Sequence, residues 1–250
     1  MPPKSLHVHR LPSEVPAEEF QGTVTVVVDI LRATSTMTTA LASGAGAIVP
    51  YAEIDDAREH FRQFPDNAKL CGERNWAMIP GFHCGNSPGD YEQNVAGRTF
   101  IFTTTNGTKA LHHASAASRI CLGSFLNIST LESMLSRETD VRILCSGTKG
   151  EPSWEDQLFA GALADRLTDG DHGWNDVASE VVAAWREFQS QQTDADDLFK
   201  SLCTGTGGSN LVKRGLERDI RYCAQMDRFD VVAEFFANEN VIRLSNQPAT

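Results

Sequence analysis

Three stretches of the sequence share one layout: a run of apolar residues, then small polar or glycine residues, then a helix start. They are V-V-D-I-L-R-A-T-S-T at 27–36, F-T-T-T-N-G-T-K at 102–109 and L-C-S-G-T-K-G at 144–150. In open α/β sheets, ligands bind outside the carboxyl ends of the strands. The helix starts there offer unpaired N–H groups and a partial positive charge to an anion. One such turn is a weak signal because every α/β protein has several. Three of them loaded with Thr, Ser, Asn and Lys point to the binding of an anionic ligand.

The charged residues in and beside these turns each carry two readings. Asp29 follows a run of valines, so its carboxylate arrives at a buried strand end, where an unpaired charge is costly. Either it pairs with Arg32 or caps the next turn, or it serves as a magnesium ligand or a nucleophile beside a phosphate. Magnesium takes one or two carboxylates together with substrate oxygens. Arg32, Arg74, Lys109 and Lys149 read singly as solvated surface cations, but guanidinium groups suit bidentate recognition of phosphate or sulfonate. Glu73, Glu155 and Asp156 are candidates for a second ligand or a general base. For Glu155 and Asp156 the competing reading is complementarity to a helix N-terminus.

Several known chemistries are excluded by absence. There is no G-x-x-x-x-G-K-[ST] loop and no G-x-S-x-G elbow. Cys145 lacks the arginine of a cysteine-nucleophile phosphatase loop, and Asp29 lacks the second aspartate of a haloacid-type phosphatase. No two cysteines form C-x-x-C, and His112, His113, His7 and His9 lack nearby partners for zinc, so they read as packing or surface residues.

The elements that must position these groups follow from periodicity. Residues 23–29 are β-branched and nearly continuous in apolar character, as a strand covered on both faces would be. A small-residue helix is expected over 33–45, with Thr34, Ser35 or Thr36 to cap it. Further strands are expected at 48–51, 68–71, 99–103, 119–123 and 141–145, and helices at 55–64, 107–114, 128–137 and 153–167. Strands alternating with helices imply parallel pairing. From 72 to 91 the periodicity disappears, and the Trp, Met, Ile and Phe there predict an ordered excursion that folds over something. Residues 175–226 read as largely helical, with a short strand at 241–244. The reading is therefore a layered α/β/α fold with a mostly parallel or mixed sheet and a helix-rich C-terminal part. Its division is a core of 1–167 carrying the phosphate and metal site and a helical part 168–250, with a seam at 168–173, or else a single domain 1–250.

Composition bounds the function classes. The 250 residues are 41% hydrophobic and 22% charged, enough for a sizeable core. A net charge of −11 disfavours nucleic acid as a partner. No apolar stretch is long enough to span a membrane, and residues 1–10 lack a signal-peptide core. Six cysteines without an export signal read as free thiols, mostly buried, in a cytoplasmic protein. A homo-oligomer is compatible with the sequence, which does not fix the oligomeric state.

Taken together, D-I-L-R-A-T-S-T (29–36), G-E-R (72–74), G-N-S-P (85–88), T-T-T-N-G-T (103–108), S-G-T-K-G-E-P-S-W-E-D (146–156) and G-L-E-R-D-I-R-Y-C (215–223) resemble the 2-phosphosulfolactate phosphatase (ComB) family in order and separation, over essentially the whole chain. The resemblance implies a layered α/β fold and magnesium-dependent hydrolysis of (R)-2-phospho-3-sulfolactate to 3-sulfolactate and phosphate, a step associated with coenzyme M biosynthesis. Carried onto this chain, it places Asp29 with Glu73 or with Glu155 and Asp156 on Mg2+. Arg32, Arg74 and the turn Thr105, Asn106, Gly107 and Thr108 would grip the phosphoryl oxygens, and Ser87, Lys109 or Lys149 the sulfonate or carboxylate. Three departures fall in the long loop: Asn75 with Trp76 after G-E-R, His83 after G-F, and Cys84 before G-N-S-P. They leave open a phosphatase for another small phosphorylated acid, beside a non-catalytic anion-binding protein.

Overall fold

The computed structural model describes residues 5–64, 66–167 and 173–245. The expected seam at 168–173 lies, apart from Gly173, outside the described residues. In chain order the elements begin with β1 (Ser5–His9), β2 (Val24–Val28), α1 (Ala33–Ala42), β3 (Ala47–Tyr51) and α2 (Ile54–Gln63). Then come β4 (Ala68–Arg74), β5 (Ala77–Met78), β6 (Thr99–Thr103), α3 (Gly107–His113), β7 (Arg119–Gly123) and α4 (Ile128–Leu135). After β8 (Asp140–Cys145) and α5 (Trp154–Arg166) follow α6 (Asp176–Ser190), α7 (Asp197–Thr204), α8 (Thr206–Val212) and α9 (Glu217–Cys223). The described chain ends with β9 (Ala233–Phe236) and β10 (Val241–Leu244).

The ten strands form one mixed sheet in the order β1-β8-β2-β7-β9-β10-β3-β6-β4-β5. It contains two parallel blocks. Strand β2 pairs in parallel with β7 and β8, and β1 with β8; β6 pairs in parallel with β3 and β4. The β9–β10 hairpin joins the blocks through antiparallel contacts with β7 and β3. The C-terminal part is thus not only helical: it supplies two strands to the middle of the sheet. Strand β9 is absent from the sequence reading because A-E-F-F is only four residues long and is interrupted by a glutamate.

The hydrophobic pattern places helices on both faces. Strand β2, V-T-V-V-V, is buried along its whole length. On one side its Val24, Val26 and Val28 join Phe125, Leu158, Phe159, Leu163 and Trp185 from the α4–α6 layer. On the other, Val27 joins Met37 and Leu41 of α1, Leu111 of α3, residues of both strand blocks such as Phe100, Phe102 and Leu122, and Phe235 of the hairpin between them. Helix α1 is buried on all sides over Ala33–Leu41, which explains its Ala, Ser and Thr composition: larger side chains would not fit between the blocks. It ends at Ala42, three residues before the expected exit, and no side chain of Thr34, Ser35 or Thr36 caps its start.

Strands β2 and β6 are five steps apart in the sheet, about 24 Å along a flat one. Yet a Cβ added at Gly107, just beyond β6, would lie 2.7 Å from Oδ2 of Asp29, just beyond β2. The sheet must therefore coil around α1. Its twist of about 20–25° per step accumulates over those five steps and turns the second block toward the first. That coiling brings strand ends from both blocks to one rim.

Gly72 marks a close approach on that rim. Its φ is +136°, and a Cβ there would lie 1.9 Å from the carbonyl oxygen of Thr103 on the paired strand. Gly72→Ala is expected to destabilise the protein by about 3 kcal/mol or more, read as a lowered urea midpoint with an unchanged slope. A midpoint equal to that of the parent would contradict this packing.

Candidate functional site

A small cavity of about 30 Å³ opens on the rim. It is lined by Asp29, Leu31 and Arg32 after β2, Glu73, Asn75 and Trp76 around the β4–β5 turn, and Asn86 from the long loop. Thr105 and Asn106 after β6, and Thr148 and Lys149 after β8, complete it. The three strand-to-helix turns singled out in the sequence meet here, together with the excursion over 72–91.

Each turn is fixed by its own hydroxyls. Thr34 Oγ1 donates to the carbonyl of Gly123, 2.7 Å away, and Asp29 N–H donates to Thr34 Oγ1 at 3.1 Å. Ser35 Oγ donates to the carbonyl of Ile30 at 3.0 Å. The helix start that no hydroxyl caps is served instead by Asp29, whose Oδ1 accepts from Ala33 N–H at 3.1 Å. Across the rim, Thr104 and Thr108 satisfy each other's N–H through their hydroxyls, which locks the turn that presents Thr105 and Asn106. Gly107 leaves the space that Asp29 fills.

Glu73 is clamped. Its Oε1 accepts from the N–H and the hydroxyl of Thr105, both at 2.9 Å, and its Oε2 accepts from Trp76 N–H at 2.8 Å. Arg32 does not pair with Asp29, one of the sequence readings, but with buried Asp219 of α9. Ser87 Oγ donates to the same Asp219 oxygen at 2.7 Å, and Arg32 donates to Ser87 Oγ and to the carbonyl of Trp76, both at 3.1 Å. Asp219 balances the guanidinium charge and aims it, while Arg32 still borders the cavity.

Two predicted cations are placed elsewhere. Arg74 turns back to donate to the carbonyls of Glu73 and Ala52 and to Thr103 Oγ1, acceptors at the ends of β4, β3 and β6. Lys109 is solvent-exposed 3.8 Å from Glu53, on the outer side of α3. Ser87, Gly107 and Thr108 support the lining without forming it. His112 and His113 pack against the carbonyls of Pro50 and Val15.

Glu155 and Asp156 sit behind the cavity wall and do not line it. Asp156 accepts from Ile30 N–H at 2.9 Å, from Gly147 N–H at 3.1 Å and from Ser146 Oγ at 3.3 Å, tying the first turn to the third. Glu155 lies against Gly205 and Gly207, where no Cβ would fit, and its buried Oε2 has no partner among the described residues. Burial pushes Asp29 up to about 6, opposed by the Ala33 N–H and reinforced by Glu73. Burial also pushes Glu155 up to about 7, with Asp29 adding to the shift, and raises Asp156, with Asp29 and Glu155 adding. A raised carboxyl stabilises the fold below its unfolded value and loses that contribution as pH rises through its folded value. Between about pH 4 and about pH 7 the three carboxyls outweigh the opposite contribution of His9, which burial pushes down to about 4, so the melting temperature in chelator is expected to fall across that window. A rise across that window, seen by scanning calorimetry, would contradict the burial of these groups.

The donor set suits a hard cation. Asp29, Glu73 and Asn86, whose buried Oδ1 has no partner among the described residues, offer oxygen atoms around one cavity. Among the described residues no three His, Cys, Asp or Glu side chains are arranged to hold a metal by themselves.

Asn86, Thr148 and Asp219 were not singled out as site residues from sequence. Each lies within a quoted motif, G-N-S-P, S-G-T-K-G and G-L-E-R-D-I-R-Y-C, and motif membership was the only signal available. All six cysteines are free thiols, four of them buried, as expected. Among the described residues no helix is long and apolar enough to cross a membrane.

A family model described as 2-phosphosulpholactate phosphatase matches residues 9–238. Proteins named probable 2-phosphosulfolactate phosphatase are similar over nearly their full length. The one from Symbiobacterium thermophilum is 39% identical over 232 residues, 91% of this chain and 97% of the relative. That from Caldanaerobacter subterraneus is 37% identical, covering 88% and 90%, and that from Thermotoga maritima 35%, covering 87% and 91%.

Proposed function

The chain belongs to the 2-phosphosulfolactate phosphatase family, whose members are phosphoric monoester hydrolases, and from that membership we propose that it is a cytoplasmic, magnesium-dependent enzyme converting (R)-2-phospho-3-sulfolactate and water to 3-sulfolactate and phosphate. The observation that carries this reading is one cavity bordered by a buried, burial-shifted carboxylate, Asp29, a charge-balanced guanidinium, Arg32, and a hydroxyl-locked turn, Thr105–Asn106. Phosphoryl transfer asks mainly for positioning and for stabilisation of negative charge spread over oxygens, and these groups supply both.

Magnesium, held through Asp29 with Glu73 and Asn86 nearby, would neutralise phosphoryl charge. Arg32, kept rigid by Asp219 and Ser87, orients the phosphoryl group. Glu73 holds the Thr105 turn and the Trp76 backbone against the same space. Asp29 either attacks phosphorus or serves as a ligand, and its Ala33 bond fixes its direction in both cases. Asn75 and Trp76 at the wall keep a second reading in view, a phosphatase for a different small phosphorylated acid.

Phosphate release from a panel of phosphorylated hydroxy acids, with magnesium and with chelator, tests the proposal. The expected result is metal-dependent release, fastest with the sulfonated substrate. Preference for another phosphorylated acid would select the second reading, and no release from any substrate would remove both.

A further inference from the structure

The β4–β5 turn has a feature that the proposed reaction leaves unexplained. Arg74 pairs with Ala77 across a two-residue turn, and both turn residues have left-handed backbones, Asn75 at φ 52° and Trp76 at φ 64°. Such a turn prefers glycine in its second position, so a tryptophan there is strained. The strain is held by the site itself: Glu73 accepts from the Trp76 N–H, and Arg32 donates to the Trp76 carbonyl. Strained residues fixed in this way tend to sit at ligand clamps.

The indole held there carries two cations. Lys149 Nζ lies over its ring, 4.7 Å from the centroid, and Arg214 Cζ lies 4.9 Å from it. Lys149 is itself left-handed, at φ 56°. Among the described residues neither cation pairs with a carboxylate; Arg214 donates only to the carbonyl of Asn210, in its own helical turn. On a chain of net charge −11, two uncompensated cations share one ring, Lys149 lining the cavity and Arg214 on the ring beside it; they repel each other, and an anion between them would relieve that repulsion.

We propose that Trp76, Lys149 and Arg214 form the specificity wall of the cavity, a two-cation platform that binds the sulfonate on the carbon chain of the substrate. The proposal rests on the phosphatase reading for the identity of the substrate. It adds that Arg214 and Trp76 select phosphomonoesters carrying a second strong acid over those that carry none. The ring acts as organiser: it fixes the two charges in place, and the acid group makes charge-assisted hydrogen bonds to them.

The test is calorimetric titration of the holoenzyme with 3-sulfolactate, with lactate as the probe that lacks the sulfonate. The parent is expected to bind 3-sulfolactate more tightly than lactate. Arg214→Gln, at an exposed position where folding is not at risk, is expected to weaken 3-sulfolactate binding roughly tenfold. Trp76→Gly should do the same with both cations still present, and Trp76→Phe should restore most of the loss. Lys213→Gln, which removes a neighbouring charge outside the platform, separates specific contact from general electrostatics. Arg214→Gln and Trp76→Gly within twofold of the parent, or Lys213→Gln as damaging as Arg214→Gln, would overturn the proposal. A parent that binds no sulfonated acid would also overturn it. Phosphate release measured on the same samples reports separately on the phosphatase reading: a parent that hydrolyses monoesters but binds no sulfonate loses only the platform.

Discussion

Asp29→Asn leaves the chain folded and lowers metal-dependent phosphate release by about a thousandfold or more, a loss of about 4 kcal/mol in transition-state stabilisation. The change is nearly isosteric and keeps the oxygen that accepts from Ala33 N–H, so the α1 start survives. What disappears is the negative charge, which a nucleophile requires and which gives a carboxylate ligand most of its attraction for magnesium. Burial disfavours that charge in the parent, so the variant should melt no lower than the parent in chelator at about pH 8. A large catalytic loss without a stability loss is the signature to look for. Activity within tenfold of the parent would remove Asp29 from the reaction. Two measurements then separate its roles: borohydride reduction of an aspartyl phosphate to homoserine at position 29 marks attack on phosphorus, whereas inversion of configuration at phosphorus marks direct attack by water with Asp29 as a ligand.

Asp219→Ala is the second large effect, and it acts on the fold and the site together. Arg32 and Asp219 are 3% and 2% exposed, so removing the carboxylate strands a buried guanidinium and leaves Ser87 Oγ without its acceptor. Breaking such a pair from one side costs about 3–5 kcal/mol, or on the order of 10 °C in melting temperature for a chain of this size. Replacing both partners, Arg32→Met with Asp219→Leu, should recover much of the melting temperature, because a well-packed apolar pair avoids the desolvation of two charges. It should not recover phosphate release, since the group bordering the cavity is gone. Recovery of both would make Arg32 a purely structural residue, and recovery of neither would point to a role for the pair in packing α9.

The alternation of strands and helices was legible because burial imposes a period. The five residues of β2 are covered on both faces and read as an unbroken apolar run; β6 and β7 occupy the predicted residues 99–103 and 119–123; and α2 shows a polar face. Strand β9 was not legible, because four residues with a glutamate among them carry too little pattern. Nor could its place between the two parallel blocks be read, since pairing across more than a hundred residues leaves no mark on local periodicity. The three loaded turns were visible as composition, and the structure brings them to one cavity. The fates of the individual charges were not visible. Arg32 found Asp219, 187 residues away, Arg74 turned to carbonyls of the neighbouring strand ends, and Lys109 faced solvent.

Local sequence determined which segments extend, which coil and where the chain breaks into polar turns, because side-chain size, branching and hydropathy act within a few residues of themselves. Tertiary structure alone decided that the sheet coils far enough to press Gly107 against Asp29, that Asp156 is spent on the turns behind the wall, and that Trp76 gathers two cations. Those outcomes depend on how charges and hydrogen-bonding groups far apart in the chain satisfy one another once water is excluded, and that competition is settled in space, not along the chain.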